Sequence, residues 1–201
     1  NGMVLNTGPT GSGKTTTLYA FMKKIHSPDI KIITIENPVE YHLPGIVQTQ
    51  TDSEKGYTFL EGLRSALRQD PDVIMVGEIR DSETAEIAVN AALTGHLVCS
   101  TQHTNNAAGT FPRLIDLGVN SKVITSSVSI VMAQRLVRKL CQDCKQQIDI
   151  SADEKKSVDA VLATITDKSY VTDLQTTHTW RAVGCTKCHN TGYRGRIGIF
   201  E

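Results

Sequence analysis

Nine residues, Gly8-Pro9-Thr10-Gly11-Ser12-Gly13-Lys14-Thr15-Thr16, constrain this chain more than any other stretch, because they fit G-x-x-x-x-G-K-[ST] in the one context that gives that pattern meaning. An apolar, strand-like run (Met3, Val4, Leu5) precedes them, and a helix-like run (Thr17 to Met22) follows. Strand, glycine-rich turn and helix in that order predict a phosphate loop. Glycines let successive backbone N–H groups turn inward onto phosphate oxygens, and the positive end of the following helix adds to them. Lys14 is expected to reach the β- and γ-phosphates and the Thr15 hydroxyl to complete the shell of a Mg²⁺ ion, so ATP and Mg²⁺ are the expected ligands. A glycine-rich turn that binds nothing is the alternative; the intact Lys-Thr pair and both flanks count against it.

The 201 residues suffice for one good core with a small appendage. Twenty-one basic residues balance 21 acidic ones, so overall charge gives no support to a nucleic-acid partner. Val123 to Leu140 reads as a helix, but Gln134, Arg135, Arg138 and Lys139 make it too polar to cross a bilayer, and no transmembrane segment is expected. The chain opens on Asn1-Gly2 without an initiator Met and stops at Ile199-Phe200-Glu201, in what reads as a strand; both ends are expected to be cuts through a longer protein.

Lys31 to Ile35 has the β-branched composition of a buried strand, and Pro38 ends it, which places Glu36 and Glu40 on the loop beyond. Open α/β sheets hold their ligands at that end of the strands. A short strand at Ile46-Val47 and a helix over Phe59 to Arg68 follow. Val73 to Val76 is a second buried strand, which delivers Glu78 to the sheet edge in the manner of a phosphate-loop ATPase, where the acid can bind Mg²⁺ through water or orient the attacking water. Asp81 or Ser82 caps the next helix, and a third strand follows, bracketed by His96 and His103. Two histidines there are expected to contact the γ-phosphate or to pass its state to a neighbouring subunit.

Two Cys-x-x-Cys pairs, Cys141/Cys144 and Cys185/Cys188, supply the four thiolates of a closed zinc site, with His189 as a possible substitute ligand; two disulfides or a redox pair are the rival readings. The long gap between the pairs reads as an inserted lobe with a surface helix over Ser151 to Lys168. Cys99, inside an apolar strand, reads as a core residue.

Taken together, the loop Gly8 to Thr16, the acidic box Ile35 to Tyr41, the run Leu63 to Asp72, Val76 to Asp81, Thr94-Gly95-His96 and His103-Thr104-Asn105 resemble the traffic ATPases of type IV pili and type II secretion. The four cysteines, with Ala133 to Leu136 before them and Gly192 to Arg196 after, resemble the assembly or secretion branch; the retraction ATPases are similar but lack the cysteines. The resemblance implies an α/β, RecA-like phosphate-loop NTPase core over residues 1–140, a small tetracysteine zinc lobe over 141–190, and the start of a C-terminal segment over 191–201. It implies a cytoplasmic homo-hexamer, peripheral at the inner-membrane face, that hydrolyses ATP to move pilin through an inner-membrane platform protein. Pilus assembly is the main expectation and type II secretion the alternative. By position it assigns Glu40 as general base, Glu78 as the Mg²⁺-side acid, His96 and His103 as the histidine box and Arg80 as a γ-phosphate sensor. Asn37 departs from the usual Asp of the acidic box. Further arginines belong to an upstream domain, so this segment alone is expected to bind ATP·Mg²⁺ modestly and turn it over barely. A nucleic-acid translocase and a non-catalytic zinc-built binding module are the competing classes. Balanced charge opposes the first, and Lys14, Glu40 and Glu78 oppose the second.

Overall fold

The computed structural model describes residues 1–171, 174 and 176–201. They form two compact units: Asn1–Leu136 with Gly198–Glu201, and Val137–Ile197. The second unit thus begins a few residues before Cys141, and the last residues return to the first unit instead of forming a segment of their own.

The first unit is built on a parallel sheet. Its strands are β1 (Gly2–Thr7), β2 (Ile32–Glu36), β3 (Val47–Gln50), β4 (Val73–Val76), β5 (Leu97–Gln102) and the first part of β6 (Val128–Leu140), and the end of β9 (Tyr193–Phe200) lies at the edge, in the order β3-β2-β4-β5-β1-β6-β9. β1 pairs in parallel with both β5 and β6, and β2 with both β3 and β4. The central strands are apolar on both sides, as a sheet covered on two faces requires. Alternate residues serve the two faces. Val4, Ile32, Val73, Met75 and Cys99 pack against Leu18, Tyr19 and Met22 of α1 (Lys14–Ile25). Met3, Leu5, Ile33, Ile35, Ile74, Val76 and Val98 pack against α2 (Phe59–Leu67), α3 (Ser82–Leu93), α4 (Thr110–Asp116) and α5 (Ser121–Ser127). Cys99 is fully buried, and burial pushes its thiol up to about 12, which suits an inert core residue.

Two sequence expectations need correction. Val123 to Leu140 is not one helix: α5 stops at Ser127 and the chain continues as the 13-residue strand β6. A free edge of β1 was available, and its ladder with Met3 to Thr7 outweighs a helical spacing of apolar residues that is ambiguous with β-branched neighbours. Glu36 is not on a loop either; it is the last residue of β2 and 1% exposed.

The second unit holds a two-stranded antiparallel sheet, β7 (Gln146–Asp149) with β8 (His178–Arg181), and the helix α6 (Ala152–Thr164). A capping box of Ser151 and Glu154 starts α6, as Ser-x-x-Glu requires. Lys145 lies over the Trp180 ring and Arg138 over the Tyr193 ring, each 4.0 Å from the centroid.

Candidate functional site

The glycine-rich loop leaves the carboxyl end of β1 and enters α1 through Gly13, whose φ of 87° only glycine adopts freely. Gly8 is equally constrained: a Cβ there would lie 2.5 Å from the Gln134 carbonyl oxygen and 3.2 Å from Arg135 Nη1. No side chain caps α1, and its first turn carries no acid, whereas α2, α3 and α6 are capped by Thr58, Asp81 and Ser151. Its leading N–H groups are therefore left for a ligand, and negative charge is the ligand they favour. Ser12 Oγ, buried in the loop, has no hydrogen-bond partner, another donor of the kind a phosphate oxygen takes. The buried Lys14 folds its ammonium onto the carbonyls of Gly8 (2.9 Å) and Pro9 (3.1 Å). Burial lowers its pKa and so does the Arg135 guanidinium, while Glu78 opposes both. Thr15 is half-buried in the first turn of α1, and Thr16 beside it is exposed.

Threonine side chains lock neighbouring strand ends around this loop. Thr7 Oγ1 donates to Gln102 O (3.0 Å) and accepts the Thr104 N–H (2.8 Å); Thr101 Oγ1 donates to Gly77 O (2.7 Å). Those ties bring Glu78, at the end of β4, and His103, at the end of β5, to the same edge as Lys14. Glu78 Oε2 lies 2.5 Å from Arg80 Nε and 3.8 Å from His103 Nε2. Burial lowers the His103 pKa, with Lys14 and Arg80 acting in the same direction and Glu78 against them, which favours the neutral imidazole, a group that can accept as well as donate. Arg80 is otherwise exposed. Glu40 lies on the acidic loop beyond β2 with an exposed side chain.

His96 is not part of this cluster. It precedes β5 at the opposite end of the strand, where its carbonyl accepts the Gly2 N–H (3.1 Å) and Nδ1 lies 3.1 Å from Ala91 O. His96 lies level with Gly2, and the rise of β1 from Gly2 to Thr7 puts roughly 17 Å between it and the phosphate loop, at about 3.3 Å per residue. Within one chain the histidine box is therefore split, and only His103 faces the loop.

Sequence reasoning overlooked Gln134 and Arg135 as loop neighbours because it read β6 as helix. Gln134 Oε1 accepts from Asn6 Nδ2 (2.7 Å), and Arg135 donates to Gln134 O (3.0 Å) and to Asn105 O. The β-branched Val128, Ile130 and Val131 were the available signal.

In the second unit, Cys141, Cys144, Cys185 and Cys188 bring their sulfurs within 4.8 Å of one another. Separations of 3.7, 3.8 and 3.9 Å link Cys185–Cys188, Cys144–Cys188 and Cys141–Cys185. A tetrahedral ion with Zn–S bonds of about 2.3 Å needs sulfurs about 3.8 Å apart, whereas a disulfide needs about 2.05 Å. The donor set and its spacing fit zinc and exclude two disulfides, and all four cysteines are free thiols. His189 is not among the four ligating groups. Burial opposes ionisation of Cys188, yet the N–H groups of Cys185 and Gly192 (both 3.2 Å from its sulfur), with the Cys185 and Cys144 thiols, bring it down to about 6. An Asp143–Lys187 ion pair of 2.6 Å joins the two knuckles.

A parallel sheet whose first strand ends in a glycine loop and an uncapped helix, with a carboxylate delivered by a neighbouring strand, defines a phosphate-loop nucleotide-binding fold. A family profile described as Type II/IV secretion system protein matches residues 1–201, and the chain belongs to that family. It is 52% identical over 201 residues to the type II secretion system protein E of Aeromonas hydrophila, and 50% identical over 200 residues to the type IV pilus assembly ATPase PilB of Myxococcus xanthus. Both alignments cover 100% of this chain, which spans only 38% and 34% of those relatives. Among solved structures it is similar to the pilus retraction motor PilT with bound ADP (42% identity, TM-score 0.61, covering 70% of this chain and 44% of that one). The VirB11 ATPase of the Brucella suis type IV secretion system, in complex with sulphate, is more distant (28% identity, TM-score 0.55, covering 71% and 45%). The RecA-like α/β fold expected from the motifs is thus the fold observed, and among the described residues no helix is long and apolar enough to cross a membrane.

Proposed function

We propose that this chain is the ATP-hydrolysing motor segment of a longer, hexameric ATPase that works at the cytoplasmic face of the inner membrane and drives subunit movement through a membrane platform protein. The observation that carries the reading is the uncapped start of α1, with Lys14 on it and Glu78 and His103 on adjoining strand ends. Gly8 to Thr16 cradle the phosphates of ATP, and Thr15 and Glu78 serve Mg²⁺. Glu40 takes the proton of the attacking water, and Arg80 and His103 read the γ-phosphate. His96 stands roughly 17 Å from the phosphate loop, at about 3.3 Å per residue of strand, which leaves contact with a neighbouring subunit as its part of the reading. The four cysteines hold one structural Zn²⁺.

Pilus assembly is the process we assign. Type II secretion is the second reading, favoured by the 53% identity to the type II secretion system protein E of Pseudomonas aeruginosa. In the full-length protein, Lys14→Ala should abolish ATP binding, whereas Glu40→Gln should keep ATP bound and lose turnover by at least about 10²-fold, because only a base is removed. Phosphate release and fluorescent-nucleotide titration on the same preparations read both quantities. Parental turnover in Glu40→Gln would send the search for the base elsewhere.

A further inference from the structure

Between the phosphate-loop helix and the acidic loop lies a polar cluster that the roles above do not use. Tyr19, on α1 and fully buried, uses every hydrogen-bonding capacity of its hydroxyl. It donates to Glu36 Oε2 and accepts from the Glu40 N–H (3.3 Å) and from Gln48 Nε2 (3.3 Å). Thr34 Oγ1 donates to the other oxygen of Glu36 at 2.5 Å, and Gln48 Nε2 lies 3.1 Å from that same oxygen. Among the described residues, this buried carboxylate is paired only with neutral donors and has no basic partner.

The loop beyond β2 has left the sheet, so its backbone groups need other partners, and side chains provide them. Gln50 Oε1 accepts the Val39 N–H (3.1 Å), Tyr19 the Glu40 N–H, and Gln48 Oε1 the Leu43 N–H (2.6 Å), while Gln48 Nε2 reaches Tyr41 O (3.2 Å). Of these partners, only Tyr19 comes from outside the segment that runs from β2 through β3, and it comes from the helix that begins with Lys14.

We propose that Tyr19, buttressed by Glu36 and Gln48, is a positioning residue for Glu40: it holds the backbone of the general base at a fixed place relative to the phosphate loop. The proposal rests on the assignment of Glu40 as base. Misplacing a reacting group by an ångström costs about 10²-fold in rate, so the effect falls on turnover and not on nucleotide affinity.

The test uses the full-length protein. Tyr19→Phe keeps the ring and its edge-to-face contact with Tyr41, whose centroid is 4.7 Å away, and removes only the hydroxyl. Expected is a fall in kcat of about 10- to 10²-fold with KM and nucleotide affinity changed less than about two-fold. In single-turnover assays on the Glu40→Gln background, Tyr19→Phe should add no further loss, because it acts through that carboxylate. Parental kcat in Tyr19→Phe, a loss expressed in affinity, or fully additive losses in the double variant would each overturn the proposal. If Glu40→Gln is inactive while Tyr19→Phe is not impaired, positioning fails and the base assignment stands; if Glu40→Gln is fully active, the base assignment itself fails. Should Tyr19→Phe not fold, Gln48→Leu releases the same loop from a half-buried position and carries the same expectation.

Discussion

The two units of this molecule solve the problem of staying folded by different means. In the first, strands and helices bury a continuous apolar set, with Leu5, Ile35, Leu63 and Ile74 at 0% exposure. Each such side chain stabilises the fold by about 1.5–3 kcal/mol. In the second, the described residues include no buried aliphatic or aromatic side chain at all: Cys141 and Cys188 are the buried hydrophobics, and α6 buries nothing. Val161, at 63% exposure, and Trp180, at 42%, face water. A unit of this size without an apolar core needs a staple, and four converging thiols are the staple available. The contrast teaches that the cysteines are the core of the second unit, not an ornament on it.

The largest expected effect follows directly. Converting Cys185 and Cys188 to Ser, or stripping metal with a strong chelator, should unfold the second unit, since structural zinc contributes about 10–16 kcal/mol in small domains. Hydrogen exchange should show residues 137–197 losing protection while the phosphate loop keeps binding nucleotide, and elemental analysis of the parent should show about one Zn per chain, as a single four-thiolate site requires. Retained protection after metal removal would break the comparison. A smaller effect tests its other half. Ile74→Ala should destabilise the first unit by about 2–5 kcal/mol, and Val161→Ala on α6 should stay within about 0.5 kcal/mol, both read by denaturant unfolding. Equal costs would mean that α6 has an apolar partner after all. The smallest is local: Ser151→Ala removes the cap of α6 and should cost about 1 kcal/mol, seen as faster amide exchange in its first turn with no change elsewhere.

Much of the candidate site was legible because its chemistry lies in short contiguous stretches. Gly8 to Thr16 and the two Cys-x-x-Cys pairs encode their geometry locally, through glycine torsions and tight knuckles, and the structure gathers each of them as the spacing required. Strand ends were nearly as clear, since Val73 to Val76 followed by Gly77-Glu78 leaves few places for the acid. Other features depended on partners distant in sequence. Whether Val128 to Leu140 becomes helix or strand is decided by the open edge of β1, some 120 residues earlier, and with it the arrival of Gln134 and Arg135 beside the loop. Glu36 and Glu40 look alike in sequence, yet the first is fully enclosed by Tyr19, Thr34 and Gln48 and the second is exposed. His96 and His103 likewise share a strand but stand at opposite ends of it, one by Gly2 and one by Glu78. By itself the sequence determined the loop, the knuckles and the α/β class, because torsional preference and ligand spacing act over a few residues. Only the tertiary structure decided which acid is buried, which histidine stands beside Glu78 and which arginine lies beside the glycine loop, because those outcomes depend on long-range strand pairing and on the desolvation that packing imposes.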